Sequence, residues 1–162
     1  MEAVITEDKG ILGLMKVYKD LINQILPDKS KIAYLGCSGI CLPFVELLTH
    51  SIRESGHEMF FIPDNNLKNC RKMVYIEGIG IQTGKKVSPK EVRCVVVMGG
   101  LAYPQICLTA EGTKKVMDEI LGDGITLAVC SGDIFGRAGW RDKIKFDYAI
   151  NMRDDHFIEV EK

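Results

Sequence analysis

Thiols are the residues in this sequence best placed to do chemistry. Four of its six cysteines, Cys37, Cys41, Cys107 and Cys130, lie in or beside loops that follow strongly apolar runs. Thiolates are nucleophiles, and they are the usual ligands of zinc and of iron–sulfur clusters. If the four converge on one crevice, they would suit a metal. Alternatively Cys37 or Cys130 alone, its pKa lowered at a helix N-terminus, would be a reactive thiol. The spacing is against a firm metal assignment, because no Cys-x-x-Cys pair occurs and the usual cluster spacings are absent. Free cysteine is also a common small core residue. Asp133, which follows Cys130-Ser-Gly, joins Cys37 and Cys130 as a catalytic candidate, as an acid, a base or a helix cap.

A second chemistry is anion binding. Gly36-Cys37-Ser38-Gly39-Ile40-Cys41 joins an apolar run to a helical pattern. Glycines allow close approach of backbone, and the free N–H groups of a first helical turn attract phosphate or carboxylate. The dinucleotide pattern G-x-G-x-x-G is not met, since Ser38 and Cys41 stand where its second and third glycines belong, and no P-loop lysine follows. A tight strand-to-helix turn without a ligand is the plain alternative. The opposite wall of the crevice would come from Gly99, Gly100 and Tyr103 after one apolar run, and from Ser131, Gly132 and Asp133 after another. Arg137 or Arg141 would clamp an anion, with Trp140 between them as an interface anchor. His50, His57 and His156 lack the spacing of a zinc helix and receive no role.

Ile32-Ala-Tyr-Leu-Gly-Cys-Ser-Gly39 resembles the first motif of class I methyltransferases that use S-adenosylmethionine. It departs from that motif at Tyr34, where an acidic residue is usual, and at Ser38 and Ile40. The resemblance covers about residues 31–64 and implies a degenerate form of that fold. Asp64, roughly 25 residues beyond the loop, then stands where an acidic residue contacts a ribose. Its plain alternative is a turn residue or a helix cap after Pro63.

These residues need elements to position them. Ile32–Leu35, Val95–Met98 and Ile125–Val129 are short apolar runs ending at or near glycine, the pattern of parallel strands buried on both faces. Helical spacing covers 10–26, 42–55 and 111–121, with a short helix at 67–71. A strand is predicted over 58–62, and 73–82 reads as extended, broken at Gly78 and Gly80. It would be either an irregular connection or a ribbon pairing with a second subunit. Tyr148–Met152 and Phe157–Val160 read as a hairpin. The expectation is one α/β domain over 1–162. It would be three-layered and Rossmann-like or flavodoxin-like, with a mainly parallel sheet and a C-terminal antiparallel edge hairpin.

Composition narrows the partners. At 162 residues, 46% hydrophobic with net charge −1, the chain can bury a sizeable core and carries no global field for nucleic acid or anionic membrane. No apolar run approaches the ~20 residues of a membrane span. A cytoplasmic protein with free cysteines is expected. Three functions remain open. One is binding of a small anionic or nucleotide-type ligand at the strand ends. Another is a thiol-based metal or redox site. The third is a non-catalytic module, such as a homo-oligomer.

Leu35-Gly-Cys-Ser-Gly-Ile-Cys-Leu-Pro-Phe44, Val97-Met-Gly-Gly-Leu-Ala-Tyr-Pro104 and Val129-Cys-Ser-Gly-Asp-Ile-Phe-Gly136 together resemble a family of small uncharacterised proteins from methanogenic archaea. The resemblance spans nearly the whole chain. It implies an archaeal, cytoplasmic protein and carries over no residue roles.

Overall fold

In the computed structural model, which describes residues 2–162, the apolar runs become the centre of one nine-stranded sheet. In chain order the elements are β1 (Ala3–Lys9), α1 (Gly10–Ile25), β2 (Lys31–Gly36), α2 (Cys41–Ser51), β3 (Glu58–Pro63), β4 (Arg71–Ile76), β5 (Gly80–Lys86), β6 (Val92–Met98), α3 (Ala110–Ile120), β7 (Leu121–Ser131), α4 (Ile134–Arg137), β8 (Tyr148–Met152) and β9 (Phe157–Glu161). Short 3-10 turns occur at Leu67–Asn69, Gly99–Ala102, Pro104–Ile106 and Trp140–Asp142.

The sheet order is β1-β9-β8-β7-β6-β2-β3-β4-β5. The five central strands β8, β7, β6, β2 and β3 run parallel. Through their middle residues the side chains are shielded from water on both faces, so these runs show no polar alternation. Ile32 to Leu35 and Cys94 to Val97 have no exposed surface at all. From β2 the chain crosses through α2 to β3 in one direction, and from β6 it crosses through α3 to β7 in the other. Right-handed crossovers therefore place α2 and α3 on opposite faces. Helix α1 lies beside α2, with Leu14, Val17, Tyr18, Leu21 and Ile22 turned inward.

The sheet is mixed rather than mainly parallel. Four of its neighbouring pairs are antiparallel: β1–β9, β8–β9, β3–β4 and β4–β5. The expected C-terminal hairpin forms, but it is not the edge, because β1 pairs along β9 and takes that place. The stretch at 73–82 is not an irregular connection. It is most of a second hairpin, β4–β5, whose turn uses Gly78 at φ +79° and whose second strand opens at Gly80 at φ +114°. That hairpin extends its own chain's sheet. The short helix expected at 67–71 is a single 3-10 turn, since Arg71 already pairs with Phe61. Helix α2 stops at Ser51 rather than Ser55. The hydroxyls of Thr49 and Ser51 bond back to the carbonyls of Val45 and Leu48, at 2.8 and 2.6 Å, and compete with the helical ladder there.

Two tyrosines are locked into the core beneath the carboxyl-end loops. Tyr18 of α1 and Tyr34 of β2 have no exposed surface, and their hydroxyls hydrogen-bond to each other. Burial pushes both phenols well above their ordinary range, so both stay neutral. Replacing one, as in Tyr18→Phe, strands the other hydroxyl and is expected to cost about 1–3 kcal/mol in urea unfolding. The double Tyr18→Phe/Tyr34→Phe variant should lose less than the sum of the singles. Strict additivity would show that the hydroxyls do not depend on each other.

Candidate functional site

The connections leaving β2 and β6 diverge, and outside the carboxyl ends of these strands the loops cannot close over one another. A cavity of about 70 Å³ lies there. Leu14 of α1, Phe44 of α2, Met98 of β6, Ile134 of α4 and Met152 of β8 form its apolar walls. Gly99, Gly100, Tyr103 and Ser131 also line it, and Ile40, 52% exposed, stands at its rim.

Of the predicted thiols, Cys41 and Cys130 line this cavity, and Cys37 packs directly behind Cys41. Cys37 Sγ lies 3.2 Å from Cys41 Sγ, and both residues are buried. The loop reaches this packing because of its glycines. A Cβ on Gly36 would fall 2.6 Å from the Cys41 Cβ, and one on Gly100 would fall 2.4 Å from Cys41 Sγ and 3.2 Å from Cys37 Sγ. Across the cavity, Cys130 lies against Gly99, where a Cβ would come within 2.7 Å of its own Cβ. Its thiol donates to Asn151 Oδ1 at 3.6 Å. Burial pushes the Cys41 thiol up to about 12 and the Cys130 thiol up to about 11. For Cys130 this is the opposite of the lowered pKa expected of a reactive thiol.

The four-thiol convergence does not occur. Cys107 is exposed, in left-handed backbone at φ +58°, and lines a separate groove with Asn65, Thr109 and Lys115. It follows a 3-10 turn that carries the chain away from the crevice toward α3. Among the described residues, no three His, Cys, Asp or Glu side chains are grouped to hold a metal ion.

The anion cradle is also corrected. Asp64, at φ +52°, reaches back from the end of β3. Its carboxylate accepts from the Ser38 backbone N–H at 3.2 Å and from the Ser38 hydroxyl at 3.0 Å. A phosphate on this loop would meet a carboxylate already bonded to the donors it needs. Asp64 thus ties two strand ends together, close to its plain alternative as a turn residue. Gly39 is exposed with open space where a side chain would go.

The third loop divides. Ser131 faces the cavity, while Gly132 and Asp133 line a neighbouring groove with Asn151, Arg153 and Asp154. Asp133 accepts from the Gly136 N–H as the cap of α4 and pairs with Arg141 at 3.1 Å. Arg141 in turn holds Glu161 of β9. Arg137 is exposed and clamps nothing inside the cavity. Trp140 is no interface anchor. It is buried against Phe135, ring centroids 5.6 Å apart. Met98, Met152 and Asn151 join the site in addition to the residues expected from sequence. Met98 ends an apolar run directly before Gly99, and Asn151 is a polar residue inside an apolar strand. Met152 carries no such signal.

A family profile described as "uncharacterized protein conserved in archaea" (DUF2124) matches residues 9–154, nearly all of the chain. The chain belongs to that family. It is 31% identical over 157 residues to an uncharacterized protein of Methanocaldococcus jannaschii, covering 97% of this chain and 91% of that one. It is 31% identical over 153 residues to an uncharacterized protein of Methanothermobacter thermautotrophicus, covering 94% and 95%. It is also similar to the crystal structure of a protein of unknown function from Methanothermobacter thermautotrophicus, with a TM-score of 0.81, 30% identity and 94% of each chain covered. The family resemblance read from the glycine and cysteine motifs therefore holds, including its methanogen relatives. No described helix is long and apolar enough to cross a membrane.

Two measurements check this geometry. At pH 8 a thiol reagent should titrate one fast equivalent per chain, removed by Cys107→Ser. Equally fast reaction of Cys41 or Cys130 would mean that the cavity admits the reagent freely. Gly99→Ala should cost about 1–3 kcal/mol, because its Cβ would meet Cys130 Cα as well as Cβ, and backbone cannot rotate aside.

Proposed function

We propose that this protein binds a small molecule at the crevice between the ends of β2 and β6, holding one compact, uncharged group of it in the cavity. The observation that carries this reading is the coincidence of the cavity with the point where the chain's crossovers diverge. Taken in chain order, the five parallel strands lie as 2-1-3-4-5. That is a flavodoxin-like, doubly wound arrangement, in which ligands sit at such a point. The antiparallel strands on either side widen the sheet without covering the crevice.

Size and charge narrow the ligand. The cavity of about 70 Å³ is well below the roughly 300–1,000 Å³ of ordinary ligand pockets. A nucleotide or flavin would place only a small part inside, with its bulk against Ile40, Tyr103 and Ser131. The lining holds no Asp, Glu, Lys, Arg or His. With Asp64 on the loop amides, an anionic group finds no counter-charge, so the reading moves from an anion to an uncharged, polarizable group. Sulfur and aromatic atoms suit such a group.

The test is a thermal-shift panel of flavins, nucleosides, S-adenosylmethionine and small uncharged aromatic compounds, with inorganic phosphate as a control. At least one uncharged ring compound should raise Tm, and phosphate should not. Ser131→Trp, at an exposed position on the mouth, should leave the free protein's Tm within about 1–2 °C, as expected of surface substitutions, and abolish the shift. No response to any compound at millimolar concentration would refute the reading.

A further inference from the structure

We infer that the buried Cys37–Cys41 thiol pair, which meets this cavity through Cys41, forms a site for a soft monovalent metal ion of the cuprous type, held by the two cysteines as thiolates with the thioether of Met98, a lining residue, as third donor. The site shares the cavity with the proposed organic ligand but does not depend on it.

The Cys37 and Cys41 sulfurs are 3.2 Å apart. The point where a Gly36 Cβ would stand is 3.3 Å from both Cys41 Sγ and Met98 Cγ, so the Cys41 and Met98 side chains pack over the same glycine. Met98 and Cys41 are 4% and 2% exposed, and both line the cavity. Cys130 and Met152 add a thiol and a thioether to its far wall. The lining is thus rich in soft donors and contains no imidazole or carboxylate. Hard cations select oxygen and zinc takes four thiolate, imidazole or carboxylate donors, whereas thiolate and thioether sulfur selects cuprous ion. Among the described residues no three His, Cys, Asp or Glu side chains are grouped here, and the third donor of the proposed site is a methionine.

Charge balance agrees. The ion enters as a monovalent cation and displaces two thiol protons, which go to water. Two sulfur–hydrogen bonds break, two sulfur–metal bonds form, and no electron is transferred. The product carries one net negative charge in an apolar setting. Cys41 is the first residue of α2, an 11-residue helix, and the helix N-terminus compensates that charge. The other titratable groups near the pair are Cys130 and Tyr103 across the cavity and Asp64 beyond Ser38.

The test uses the full chain with Cys107→Ser, which removes the exposed thiol. Cuprous ion is titrated anaerobically against a chromophoric cuprous chelator, with released protons counted. One ion per chain and two protons per ion are expected. Cys37→Ser and Cys41→Ser should each weaken binding more than about 100-fold, beyond the roughly 10–100-fold that outer-shell partners carry. Met98→Leu should weaken it about 10-fold. Unchanged affinity in either serine variant, or an ion left wholly with the chelator, would overturn the inference. Because a serine variant could fail to fold, X-ray absorption at the copper edge of the loaded protein gives a second readout. A shell of sulfur alone is expected, and nitrogen or oxygen ligands would overturn it. Isolation of a Cys37–Cys41 disulfide in place of the complex would do the same.

Discussion

The pairing of β2 with β6 is the constraint on which the rest of the structure depends. These strands are parallel neighbours, with Ile32 opposite Cys94 and Leu35 opposite Val97, yet they are far apart in the chain. Between them lie α2, β3 and the β4–β5 hairpin. Parallel neighbours cannot be joined by a tight turn. Each must leave the sheet by a crossover, and here the crossovers go opposite ways. That divergence places helices on both faces, buries the middle of the central strands and leaves the crevice at their carboxyl ends.

Small residues then decide how close the loops come. Gly36, Gly99 and Gly100 have no Cβ where one would collide with Cys41 or Cys130. The loops after β2, β6 and β7 consequently pack thiol against backbone rather than side chain against side chain. The crevice narrows to a small cavity whose polar character is mostly sulfur. Carboxylates near it are engaged elsewhere: Asp64 with Ser38, and Asp133 with Arg141 and the first turn of α4. The lining holds no Asp, Glu, Lys, Arg or His, which is why its chemistry is better described by soft atoms than by carboxylates and imidazoles.

Much of the scaffold was legible along the chain. The apolar runs at 32–35, 95–98 and 125–129 announced buried strands because a strand shielded on both faces has no polar alternation to disguise it. The helices α1 and α3 followed from their 3.6-residue stripes, and the C-terminal hairpin from its turn at 153–156. The edges were not legible. β1 has exposed Val4 and Ile5 and alternates poorly, so only its ladder with β9 makes it a strand. The β4–β5 ribbon reads as irregular because two glycines interrupt its apolar pattern, yet those glycines supply the positive φ of its turn region.

The sequence by itself determined that this is an α/β chain with glycine-ended buried strands, and that the loops after those strands carry its cysteines. Burial and period are local properties, written wherever a run of side chains meets the same environment. It did not determine which loops meet. Cys37 and Cys41 came together with Cys130 across one cavity, Cys107 left for the α3 side, and Met98 and Met152 joined the sulfur lining, because strand order is a choice among non-local pairings. Asp64 shows the same limit. From sequence it stood where a ribose contact belongs, and only the approach of the β3 end to the β2 loop turned its carboxylate onto Ser38.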